Sequence, residues 1–134
     1  MLRLVAGVIA GVVSGFVVIY VVEQVGHQIW PVATELDLKD KAAAAAFLAG
    51  MPLGGLITVV VAWILGAYTG SVIGLLAGDR RRIAGIIPAA VIFAATVLVL
   101  FMLPHPLWMA IGGLGGIVAA GWLADRLFTR KAGA

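Results

Sequence analysis

Cysteine is absent from the 134 residues, which excludes disulfides, iron–sulfur clusters, thiolate zinc sites and a cysteine nucleophile. Charge is scarce as well. Only 11% of residues are charged while 63% are hydrophobic, against roughly 25% and 45–50% in soluble domains. So little polar surface cannot cover a water-soluble globule, and disorder is excluded because it needs low hydrophobicity and high charge. No Gly-rich segment carries the Lys-Ser/Thr of a phosphate-binding loop, and Ser14 and Ser71 lie inside apolar runs rather than in a nucleophile elbow. These absences point away from an enzyme.

Long uncharged stretches dominate what remains. A helix crosses the hydrocarbon core with about 20 apolar residues at about 1.5 Å rise each. Residues 4–22 form one such stretch between Arg3 and Glu23. A second lies between Lys41 and Asp79 and is punctuated by Gly50-Met51-Pro52. Residues 83–124 suit two spans, because Pro104 and Pro106 cannot both sit inside one regular helix. The expected fold is an all-α integral membrane four-helix bundle, a single transmembrane domain over 1–134 with spans near 4–25, 53–78, 83–103 and 106–124. Tyr20-Val21-Val22-Glu23-Gln24 offers no small-x-small cleavage site, so the first span is expected to be a retained helix rather than a signal peptide.

Basic residues predict the orientation. Arg3, Arg80, Arg81, Arg82, Arg126, Arg130 and Lys131 fall on one side of this topology, and only Lys39 and Lys41 on the other. The Lys/Arg-rich side is cytoplasmic, so both termini and the 79–82 loop are expected there. Residues 26–52 and the Pro104-His105-Pro106 turn then face outward. Asp37 or Asp40 can cap a short helix running to Leu48, whose weak apolar side (Ala42, Ala45, Phe47, Leu48) suits the outer membrane surface. Arg80-Arg81-Arg82 is read as a topology determinant, and no nucleic-acid partner is expected.

Small residues at every fourth position let membrane helices approach closely. Gly7, Gly11 and Gly15 mark the first span, Gly66, Gly70, Gly74 and Gly78 the second, and Gly112 and Gly116, continued by Ala120, the fourth. This glycine-zipper pattern predicts that spans one, two and four meet at small faces. The third span, rich in branched residues, is then the most lipid-exposed, and Pro88 is placed to kink it. The ridges serve packing within one chain, or alternatively a subunit interface centred on the second span. The expected partners are membrane lipid and either a second copy or a larger membrane complex.

Both histidines and four of the six acidic residues fall on the outward side. Glu23 and His27 share a helical face at spacing four if the first helix continues to Trp30, and His105 sits in the turn at the same depth. Three readings compete. Glu23 hydrogen-bonds His27 and ties the first helix to the His105 turn, with Trp30 and Trp108 as interfacial anchors. Alternatively, Glu23, His27 and His105 ligate zinc or another divalent metal, or they form a pH-sensitive gate. No cofactor is otherwise expected. Coupled transporters keep an ionisable residue on a membrane helix, and the only candidate here is Glu23, near the outer interface.

The run Glu23-x-x-Gly26-His27-x-x-Trp30-Pro31, the Pro52-Leu53-Gly54 opening and Leu103-Pro104-His105-Pro106-Leu107-Trp108 together resemble a widespread group of small, uncharacterised bacterial proteins with four transmembrane helices. The likeness covers nearly the whole chain. It implies bacterial inner-membrane residence and the same four-span layout, and it carries no activity. The expected function is a non-enzymatic inner-membrane protein acting as an accessory or structural subunit. The alternative is a small transporter or channel with an outward Glu/His cluster.

Overall fold

A computed structural model describes residues 1–31 and 39–129. Asp37, Glu35, Arg130 and Lys131 lie outside these described residues. The described residues form five helices: α1 (Leu2–Ile29), α2 (Lys41–Ala49), α3 (Leu53–Ala77), α4 (Arg82–Met102) and α5 (Leu107–Phe128). Four of them, all but α2, are long and apolar enough to cross a membrane. The breaks fall where local chemistry demands them. Pro52 and Pro106 adopt extended conformations and open α3 and α5, positions where a missing N–H costs nothing. Asp40 caps α2, its carboxylate accepting from the amides of Ala42 (2.9 Å) and Ala43 (3.4 Å). The α3–α4 turn holds Asp79 and Arg80 at φ 60° and 57°, a left-handed conformation that costs non-glycine residues about 1–2 kcal/mol each. The Arg80 amide is nevertheless bonded to the Leu75 carbonyl at 2.7 Å.

The two glycine ridges meet each other. α1 runs antiparallel to α3, so that Gly7 faces Gly78, Gly11 faces Gly70 and Gly74, and Gly15 faces Gly66. A Cβ added to Gly11 would fall 2.5 Å from the Gly70 carbonyl oxygen. The seam continues through Gly26 on Thr58 and ends with the Trp30 indole over Gly54. The α3 ridge is therefore occupied by α1 of the same chain, leaving it no room to serve as a subunit interface.

α4 corrects the expected arrangement. It packs against α1, α3 and α5, whereas α1 and α5 do not touch. α1, not α4, is the helix most open to its surroundings, burying only Gly7, Gly11, Gly15 and Gly26. The reason is Pro88. Its ring fills the crossing between the ridges: Cβ atoms on Gly11 and Gly74 would lie 2.6 and 3.2 Å from the Pro88 Cγ. Proline also leaves the Ala84 carbonyl without its helical donor, and that oxygen points at the Gly74 backbone, where a Cβ would collide with it. The helix is continuous through Pro88. Nearby, the buried Ser71 hydroxyl donates to the Gly85 carbonyl at 2.9 Å. This gives α3 and α4 a polar tie inside the bundle.

α5 needs a second correction. Gly112 meets nothing within 4 Å. The helix packs instead through Met109, Gly113, Ile117, Ala120 and Ala124, with the Trp63 indole on Gly113 and Ile64 on Gly116. One end of the bundle gathers Arg80, Arg81, Arg82 and Arg126, with Gly7 near Gly78 bringing the start of α1 to the same end. This is the basic end. The opposite, histidine end carries α2, the start of α3 and the α4–α5 turn.

Candidate functional site

At the histidine end the helices splay around a cavity of about 370 Å³. The α1 face supplies Phe16, Ile19, Glu23 and His27. Because α1 extends to Ile29, Glu23 and His27 do point the same way, as their spacing of four requires. α2 contributes Phe47 and Leu48, and α3 contributes Trp63. The apolar side of α2 is thus turned onto the cavity. His105 enters from the α4–α5 turn. All three predicted polar residues line this one cavity.

They do not bond to one another. Among the described residues no hydrogen bond links Glu23 to His27 or to His105. His105 is held on its own wall: its Nδ1 lies 3.0 Å from the Leu103 carbonyl oxygen, and its ring meets the Trp63 indole edge-on, with centroids 6.0 Å apart. A carbonyl only accepts, so Nδ1 carries the proton and the neutral ring keeps its lone pair on Nε2. Burial pushes the imidazole below its ordinary 6.5, and the Leu103 bond opposes this only in part. Glu23 is half-buried and His27 is exposed.

Among the described residues, no three His, Cys, Asp or Glu side chains are close enough to hold one metal ion. The expected ligand set of Glu23, His27 and His105 is not assembled, because Leu103 and Trp63 fix the His105 ring on a different wall from α1. The arrangement presents a carboxylate and two imidazoles at one end of a sleeve of apolar side chains. Such a lining offers polar contacts at one end and apolar contacts along the rest. Trp63, Met109, Phe47 and Met51, which shape it, carried no chemical pattern in the sequence. The apolar side of α2, expected to face the outer membrane surface, contributes Phe47 and Leu48 to this cavity. Trp30 packs over Gly54, while Trp108 is exposed. No protein-family model matches the chain, and neither a curated protein nor a solved structure shows significant similarity to it.

Proposed function

We propose that this protein is a non-enzymatic inner-membrane protein that takes a small lipophilic cation into the cavity at its histidine end, as a small transporter or channel does. The Lys/Arg excess assigns the basic end to the cytoplasm, so the cavity opens outward and α2 lies along the outer surface above it. One observation carries the reading. Scarce titratable groups from two distant segments, Glu23 and His27 on α1 and His105 in the turn, line a single cavity whose other walls, apart from Thr96, are apolar and aromatic. A carboxylate at the mouth supplies the counter-charge, and Phe16, Phe47 and Trp63 supply ring faces for a desolvated cation.

Tetraphenylphosphonium is a suitable probe, because its binding can be followed through tryptophan fluorescence. Wild-type protein is expected to bind it at least about tenfold more tightly than uncharged triphenylphosphine, a ratio worth about 1.4 kcal/mol. Glu23→Gln should abolish the difference while leaving the weaker binding of the neutral compound in place. Equal binding of both probes by the wild-type protein would sink the proposal.

A second reading, an accessory subunit in a homo-oligomer or larger complex, is supported by the outer face of α5. Gly112 and Gly115 meet nothing within 4 Å there, leaving room for a second helix to approach closely. If Gly115→Leu leaves the particle mass of the detergent-solubilised protein unchanged, α5 is not the contact face.

A further inference from the structure

At the basic end, α4 and α5 enclose a groove of about 470 Å³ whose walls are apolar: Ile86, Ala89, Ala90, Phe93 and Val118. It runs into a wider basin of about 1200 Å³ at the end of the bundle. Arg82, Trp122 and Asp125 line both spaces and make them continuous. Four arginines (Arg80, Arg81, Arg82, Arg126) against two aspartates (Asp79, Asp125) leave the basin with two positive charges.

These charges are differently engaged. Arg82 is committed to Asp125 through a forked contact, with its closest N···O distance 2.7 Å. Thr129 donates to the same carboxylate at 2.8 Å. Asp125 thereby neutralises Arg82 and ties α5 to α4, while Arg80 donates to the Phe128 carbonyl at 3.4 Å. Arg126 lies over the Trp122 ring, 5.2 Å from its centroid, which orients the guanidinium at the rim of the groove. The uncapped start of α4 opens on the same basin and adds the partial positive charge of a helix N-terminus.

The groove also has the right length for a chain. Arg82 and Phe93 lie about 16 Å apart along α4 at about 1.5 Å per residue. That is close to one leaflet of a hydrocarbon core about 30 Å thick. We infer that the groove and basin form one binding site for an anionic phospholipid of the leaflet at the basic end. Its phosphate sits among Arg80, Arg81 and Arg126, and one acyl chain lies between α4 and α5 over Ala89 and Ala90. A soluble anion has no use for the apolar groove, and a zwitterionic lipid leaves the surplus charge unanswered. This site lies at the opposite end of the bundle from the outer cavity and stands independently of the function proposed for it.

The test uses the full chain, stripped of lipid in a neutral detergent and titrated by native mass spectrometry. Phosphatidylglycerol, phosphatidylcholine with the same acyl chains, and glycerol phosphate are compared. The wild-type protein is expected to bind phosphatidylglycerol at least about tenfold more tightly than phosphatidylcholine, with no measurable retention of glycerol phosphate. Arg81→Gln and Arg126→Gln should each reduce the phosphatidylglycerol-to-phosphatidylcholine ratio about fivefold. Ala90→Phe, which fills the groove and keeps every arginine, should weaken both lipids. Equal binding of the two lipids by the wild-type protein would overturn the proposal, as would glycerol phosphate matching phosphatidylglycerol. Neither wild-type comparison depends on a variant folding. An undiminished preference in folded Arg81→Gln and Arg126→Gln proteins would also overturn it.

Discussion

Gly11→Ala should destabilise the bundle by about 2–3 kcal/mol, the range of an overpacked core, while Gly112→Ala should stabilise it by about 0.5–1 kcal/mol, the helix penalty that glycine carries relative to alanine. Both are helical glycines in apolar sequence, and both gain the same methyl group. The difference is the surroundings. A Cβ at Gly11 would lie 2.5 Å from the Gly70 carbonyl oxygen and 2.6 Å from Pro88 Cγ, whereas one at Gly112 would meet nothing within 4 Å. The first neighbour is backbone, and the second is a ring held inside α4. Neither can rotate away, so α1, α3 and α4 must separate. In lipid that separation forfeits the close packing that associates the helices. Equilibrium unfolding in mixed micelles gives both values. Equal stabilities of the two variants would mean that the α1–α3 seam does not hold the bundle together.

Truncating Trp63 should be comparably severe and should change the chemistry of the cavity. The side chain is 5% exposed. Its indole covers Gly113, lines the cavity and meets the His105 ring. Trp63→Ala is expected to cost about 3 kcal/mol, the lower end for losing a large buried aromatic, because lipid rather than water surrounds the separated helices. Removing the ring also lets water reach His105. Burial is the main cause of that residue's lowered pKa, so its titration should move back toward 6.5.

The pH dependence follows. The folded chain favours neutral His105 relative to the unfolded chain. Its stabilising contribution is complete above pH 6.5 and is lost as pH falls through the lowered folded value. Wild-type protein should therefore lose thermal stability on acidification in this window. His105→Asn, which keeps a donor for Leu103, should lose less. Glu23 and His27 line the same cavity and are present in both proteins, so the difference between the two curves isolates His105. Parallel curves, or an unmoved His105 resonance in Trp63→Ala, would show that the imidazole is already hydrated.

Much of this architecture is legible in the residues because the bilayer imposes a single strong constraint. Every backbone group must be paired within a helix. Uncharged length therefore marks the spans, and proline marks where they stop. Pro52, the Pro104 and Pro106 pair, and the Asp40 cap act locally, and each works where the sequence places it. The spacing of Glu23 and His27 likewise survives, because α1 continues past both. The glycine ridges show that close contacts exist but not which helices make them. A glycine on one face of a helix reads the same whether it meets a neighbour, as Gly113 does, or open space, as Gly112 does.

What the sequence alone determined is the number, ends and charge asymmetry of the apolar helices, since those depend on local runs and local caps. The tertiary structure decided the partners. α4 packs onto the α1–α3 seam because the Pro88 ring fits the crossing of two glycine ridges, which is a matter of shape between segments far apart in the chain. The same packing set His105 on Trp63, in the cavity that Glu23 and His27 also line, and brought Arg82 to Asp125. Those pairings rest on distances between elements, and periodicity along one helix carries no information about them.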